Sequence, residues 1–297
     1  MQSLKYAFRF IGRSFQLAIE NEPLQKPWMY QTLGNFAFLV LWFIPLALVI
    51  GLIGLRPIGL ILVGLIVILL VLSWVVWGEI TASRTCQVLD TLILKGDMPS
   101  ESQSDWQVFK EYWADIFLFT LMLPGAHLLH TLRQSFSKTA CKQPDWIEEF
   151  QLIQPVIILE DLDLAGAVAR VEQMGEQHLL RVRAGFMQVD LIARFVEGLM
   201  LAAGIAAGLW ISTKISDPIA ASFGQRILSL GIGLLITWVI TLFGFSFSTF
   251  SRTCYHTALY FWVRNVESAR KSGDRSEAQP PEILAQVLGS AVVSKKE

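Results

Sequence analysis

The sequence predicts an all-α membrane protein: four transmembrane helices in two hairpins, one re-entrant or interfacial helical hairpin, and amphipathic helices on the cytoplasmic side. Three observations carry that class. Two uncharged arms stand back to back, FAFLVLWFIPLALVIGLIGL and IGLILVGLIVILLVLSWVVWG, parted only by Arg56-Pro57. About 20 helical residues at ~1.5 Å each cross a ~30 Å hydrocarbon core, so each arm is long enough to span. A second pair follows at Phe195–Thr213 and Ile227–Phe250. Composition agrees, with 53% hydrophobic residues, 16% charged and a mean hydropathy of +0.49. Soluble domains carry about 25% charged residues.

Five segments follow in order. Residues 1–32 read as an N-terminal amphipathic interfacial helix. Leu4, Phe8, Ile11, Phe15 and Ile19 recur on one face, and Lys5, Arg9, Arg13 and Gln16 group on the other. That pattern fits either a helix in the headgroup region or one packed on the protein's own cytoplasmic bundle. Glu22-Pro23 and Lys26-Pro27 are expected to end it, because a residue before proline is pushed out of the helical region. Trp28 and Tyr30 then fall where an aromatic belt is expected. No short apolar core with a small-residue cleavage motif precedes Phe36, so Phe36–Leu55 is expected to remain as an anchor.

Residues 33–95 form the first hairpin, with a turn at Arg56-Pro57 and a helical extension over Glu79–Lys95. Residues 96–190 form a cytoplasmic or interfacial helical region with a membrane dip at 116–132. Pro124-Gly125 interrupts that dip, removing a backbone donor and favouring a chain turn, so the segment either re-enters one leaflet or crosses fully. Gln151–Leu159 is apolar but too short to cross. Glu160, Asp161 and Asp163 precede a helix expected from Leu164 to about Asp190, where acids satisfy orphan N–H groups at the positive end of the dipole.

Residues 191–264 form the second hairpin and its extension. Gly204 and Gly208 make a small-residue face that admits another helix closely. Tyr255, Tyr260 and Trp262 are expected as interface anchors. Residues 265–297 read as a mobile cytoplasmic tail.

Lysine and arginine placement selects the topology. If 116–132 leaves on the side it entered, all but Arg56, Lys214 and Arg226 of the 24 lysines and arginines face the cytoplasm. A full crossing would send Arg133, Lys138, Lys142, Arg170, Arg181, Arg183 and Arg194 outside. The same-side arrangement is therefore preferred, with both termini cytoplasmic.

An internal repeat is also legible. Ser83-Arg84-Thr85-Cys86 follows the second arm of one pair and Ser251-Arg252-Thr253-Cys254 that of the other. Gly96-Asp97 and Gly273-Asp274 come later in each, which reads as a parallel duplication. In LKYAFRFIGRSFQLAIENEPLQKPW, QPVIILEDLDLAGAVARV and TCYHTALYFWVRN the chain resembles an uncharacterised family of multi-pass bacterial membrane proteins, of the domain-of-unknown-function kind. The resemblance covers most of the chain. It implies a bacterial inner-membrane location and brings no catalytic residues.

Chemistry-bearing residues are sparse. Cys86, Cys141 and Cys254 are too scattered for a disulfide framework or zinc site and read as buried or interfacial thiols. His127 and His130 share a spacing of three but lack further ligands, and His178 and His256 stand alone. Asp115, Asp190, Arg194 and Glu197 border apolar segments and are candidate interface or pathway charges. No phosphate loop, dinucleotide turn, nucleophile elbow or paired-histidine zinc motif occurs. With a net charge of −1, nothing points to nucleic acid. The expectation is a non-enzymatic scaffold or assembly subunit without cofactors. Its partners would be the lipid bilayer and either copies of itself or a membrane-protein partner. A channel or small-solute transporter is the alternative, with Pro124-Gly125 as gate and Asp190, Arg194 and Glu197 at the mouth. A membrane-lipid enzyme would need a polar interfacial cluster that these residues do not assemble.

Overall fold

The computed structural model describes residues 2–54, 56–92, 112–122, 150–176, 183–215 and 223–273. Those residues are almost wholly helical, and no strand occurs among them. In chain order the helices are α1 (Gln2–Glu20), α2 (Glu22–Leu52), α3 (Pro57–Asp90), α4 (Tyr112–Met122), α5 (Ile153–Glu160), α6 (Leu164–Glu176), α7 (Arg183–Ile215) and α8 (Phe223–Ser272). A single 3₁₀ turn, Phe150–Leu152, leads into α5.

Four stretches are long and apolar enough to cross a membrane: Glu22–Leu52, Pro57–Asp90, Val189–Ile215 within α7, and Gly231–Ser272 within α8. The protein is therefore a multi-pass membrane protein. Large apolar side chains stand exposed along α2 and α3, among them Leu41, Phe43, Ile58, Ile61 and Ile68. Such surface is stable only against hydrocarbon.

The prolines near the start act differently from expectation. Only Asn21 separates α1 from α2, and Leu24 N and Gln25 N both donate to its carbonyl, at 3.0 and 3.2 Å. Pro23 and Pro27 lie inside α2 instead of ending a helix. Pro23, the second residue of α2, forfeits only an N–H that has no intrahelical acceptor, and its ring already holds the helical φ; Pro27, a turn further in, offers no N–H to the Pro23 carbonyl, and the helix continues past it. The turn after α2 matches the sequence reading. Gly54 takes φ 71°, Gly54 N donates to Val49 O at 3.2 Å, and α3 begins at Pro57. A glycine in the left-handed region is the usual way to stop a helix.

Two compact units emerge. The first comprises Met1–Pro27, Val75–Val189 and Ser251–Glu297, and the second Trp28–Trp74 and Asp190–Phe250. Long helices contribute to both, so the units do not follow the sequential segments. In the first unit, Ile153, Val156 and Ile157 of α5 are buried together with Ala167, Val171 and Met174 of α6. Phe10 of α1 meets Tyr255 of α8 edge to face, with ring centroids 5.0 Å apart. Tyr255 and Tyr260 are interior residues here, not interface anchors. The final helix also runs past Asn265 to Ser272, so residues 265–272 are ordered helix and not tail. Gly273, at φ 74°, follows it.

In the second unit, Trp28 lies among Phe243, Phe247 and Phe250 of α8, with centroids 5.3 to 6.5 Å away. Its half-buried ring packs on α8, whereas Tyr30 is exposed. Trp42 Nε1 donates to Ser73 Oγ at 3.2 Å and Trp74 Nε1 to Asn35 O at 3.2 Å, pinning α2 against α3.

Candidate functional site

The densest polar cluster among the described residues lies in the first unit and centres on Arg170 of α6. Its Nε donates to both oxygens of Glu160, at 3.1 Å each, and Nη2 donates to Glu267 Oε2 at 2.5 Å. Nη1 reaches Gln173 Oε1 at 3.1 Å. Tyr260 OH donates to Glu160 Oε1 at 2.9 Å, and Lys271 Nζ pairs with Glu267 Oε1 at 2.9 Å. One guanidinium thus ties the last residue of α5, the middle of α6 and the far end of α8. The Glu267 carboxylate, with Glu160 beside it, raises the Arg170 pKa above the ordinary arginine value despite partial burial. Two carboxylates face two cations, and each carboxylate oxygen pair already accepts bonds. Groups held this way are poor bases and good locks.

The acids before α6 divide their work. Asp163 Oδ1 accepts from Gly166 N at 2.8 Å, the expected cap. Glu160 joins the Arg170 cluster, and Asp161, in the left-handed region at φ 53°, accepts from Tyr112 OH at 3.0 Å. Asp115 also serves this junction, since its Oδ1 accepts from Leu164 N at 3.0 Å. Read from sequence as a membrane-border charge, Asp115 acts in the fold as a second cap on α6 and fastens α4 to it.

Gln154 of α5 is turned the same way, toward structure. Its Nε2 donates to Glu79 O at 2.9 Å and to Ser83 Oγ at 3.2 Å on α3. Cys86 Sγ lies 3.1 Å from Thr257 Oγ1 of α8. Cys86 and Cys254 are free and buried, as the sequence reading expected.

In the second unit, the Gly204/Gly208 face is filled from within the chain. A Cβ at Gly208 would run into the Gly233 carbonyl oxygen and the Thr237 hydroxyl of α8, and one at Gly204 would sit 2.8 Å from Thr237 O. Thr237 Oγ1 donates to Gly204 O at 3.0 Å, and Ser212 Oγ lies 3.4 Å from Ser229 Oγ. Pairs 204/237, 208/233 and 212/229 step in opposite directions along α7 and α8, so the two helices run antiparallel at backbone contact. This face is therefore not left open for a copy of the chain.

The other predicted charges, Asp190, Arg194 and Glu197, follow one another at the expected spacings of four and three along α7. Asp190 and Glu197 are half-buried and Arg194 is exposed along α7. Pro124, Gly125, His127, His130, Cys141 and His178 lie outside the described residues. Among the described residues, no group of three or more His, Cys, Asp or Glu side chains is arranged to hold a metal ion.

Sequence reasoning missed two sites. Arg170, Glu267 and Tyr260 carried no local signal, because the pairing spans about a hundred residues. The second is a buried polar group on α2: Asn35 Nδ2 donates to Ser246 Oγ at 3.3 Å, while Asn35 Oδ1 and Gln31 Nε2 are buried without a hydrogen-bond partner. An i, i+4 polar pair beside a long apolar arm could have flagged it. Comparison of the chain with protein-family models, curated proteins and solved structures returned no match.

Proposed function

We propose that this is a non-enzymatic structural protein of a bacterial inner membrane, one that scaffolds an assembly with copies of itself or with a membrane-protein partner. Its spans pair as two transmembrane hairpins with both termini on the cytoplasmic side, and 116–132 forms a dip that leaves on the side it entered. The Arg170 cluster is the observation that carries this reading. Arginine, glutamate and tyrosine side chains are committed to binding α5, α6 and α8 to one another, so the polar groups make a rigid platform. The Cys86–Thr257 contact sets the exit of one Ser-Arg-Thr-Cys repeat beside the other and supports the duplication. Native mass spectrometry of protein released from nanodiscs tests the proposal. Species above the 33.3 kDa chain, or a stoichiometric partner, are expected. A strict monomer with no partner overturns it.

A channel or small-solute transporter is the second reading, favoured by the buried Gln31, Asn35 and Ser246 group inside apolar helices. Polar side chains kept in spans are costly and mark pathways. On that reading, liposomes carrying the protein pass ions or small solutes, and Asn35→Leu or Glu197→Gln lowers the flux. Absence of flux for several ions and solutes sinks it.

A further inference from the structure

Helix α4 is built for a medium without water. Ile116, Phe119 and Thr120 are buried against the first unit, and Thr120 turns its hydroxyl back to Ile116 O at 2.8 Å. The opposite side is exposed and consists of Trp113, Ala114, Phe117, Leu118 and Leu121. No charged or hydrogen-bonding chain stands on that side apart from the Trp113 indole. At about 16 Å, the helix reaches only half-way through a ~30 Å hydrocarbon layer. Its first turn is fixed elsewhere, by Tyr112 to Asp161 and by Asp115 to Leu164 N. The helix is thus held by polar bonds at one end and presents unbroken apolar surface beyond them.

Helix α1, in the same unit, gives the contrast that identifies the medium. Its surface falls into three stripes. Ala7, Phe10, Ile11, Ser14 and Ala18 are buried. Phe8, Phe15 and Ile19 form an exposed apolar stripe. Arg9, Gln16 and Glu20 form an exposed polar one. A helix touching protein, hydrocarbon and water at once needs those three faces, and it lies at the headgroup boundary. Asn21 alone separates it from α2, which crosses the membrane. Helix α4 lacks the third stripe. A protein-docking patch would carry a polar rim, which the open side of α4 does not have.

We infer that α4 is sunk in the acyl chains of one leaflet, through Trp113, Phe117, Leu118 and Leu121, while α1 lies at the headgroup level with Arg9 toward anionic lipid. This deepens the membrane dip of the proposed reading and rests on it and on the four-span architecture, not on the scaffold role, so a monomeric protein would leave it intact. It gives the protein a non-spanning lipid contact whose position is fixed to the α5–α6 junction.

Spin labelling of the full chain in nanodiscs of phosphatidylcholine and phosphatidylglycerol tests it. Leu118→Cys, Leu121→Cys, Phe15→Cys and the water-facing control Glu172→Cys are each made in a Cys141→Ser background, Cys86 and Cys254 being buried. Collision with oxygen is compared with collision with a polar nickel chelate. A polar chelate is excluded from hydrocarbon, so the oxygen-to-nickel ratio at Leu118 and Leu121 is expected on the order of tenfold above that at Glu172. Phe15 should fall between. A Leu118 label reached freely by nickel overturns the inference, because α4 then faces water. An immobile label reached by neither reagent also overturns it, because a protein then covers the helix. A ratio at Phe15 above that at Leu118 reverses the depth order and overturns it as well. Two labelled positions on the exposed side guard against a local artefact of either substitution.

Discussion

Arg170→Ala removes a group that bridges α5, α6 and α8, and its cost can be worked from the geometry. The substitution deletes both bonds to Glu160 and the bonds to Glu267, leaving Glu160 with Tyr260 and Glu267 with Lys271. Stripping one partner from a fully buried ion pair costs about 3–5 kcal/mol, whereas an exposed pair is worth about 0–1 kcal/mol. The side chains here are 19%, 22% and 10% exposed, which sets the loss between those limits, at about 2 kcal/mol. That corresponds to about a 30-fold rise in the opened population. Cys86 and Cys254 are free, buried thiols of the same unit and report on opening directly. Under mild destabilisation in detergent, their labelling rate should rise by about that factor when reclosing is fast. Arg170→Lys should recover only part of the loss, since an ammonium cannot fork across two oxygens. In the Arg170→Ala/Glu267→Ala pair the two losses should combine to less than their sum. Labelling of Arg170→Ala within about twofold of the parent would refute the clamp, being under about 0.5 kcal/mol.

Three further outcomes follow from named contacts. Gly208→Ala drives a Cβ into the Gly233 carbonyl and should lower stability by about 1–3 kcal/mol, while Gly198→Ala, which meets open space, should not; the unfolding midpoints in mixed micelles decide. Asp115→Ala strips the second cap from α6 and should cost about 1 kcal/mol, read as faster amide exchange at Leu164 and its neighbours, with Asp115→Asn losing less. Gly54→Ala forces a side chain into φ 71° between α2 and α3 and should cost about 1 kcal/mol in reversible unfolding, whereas Gly64→Ala in the open face of α3 should be neutral or stabilising.

The class of this protein was written in its local composition. Long uncharged runs have only one stable setting, because every backbone polar group in hydrocarbon must be paired within the segment, and this made the four spans and the Arg56-Pro57 turn readable without a structure. Asp163 as a helix cap and the buried state of Cys86 and Cys254 were legible for similar reasons, being set by neighbours a few residues away or by hydropathy alone. The roles of Tyr255, Tyr260 and Trp28 were not, since an aromatic ring at a span end suits a belt or a core equally. Only the tertiary structure buried Tyr255 against Phe10 and set a half-buried Trp28 beside Phe243. Pro23 likewise depended on where the helix began, which Asn21 decided. Gly204 and Gly208 announced a close helix contact, but the partner was chosen by the antiparallel fit of α8 with Gly233 in reach. The Arg170 cluster lay beyond sequence reasoning altogether. Glu160, Arg170, Tyr260 and Glu267 are ordinary polar residues on separate helices until the fold brings them within bonding distance. Hydropathy acts over a single helix and can be summed along the chain. Ion pairing acts over a few ångströms in space, and only the tertiary structure sets those distances.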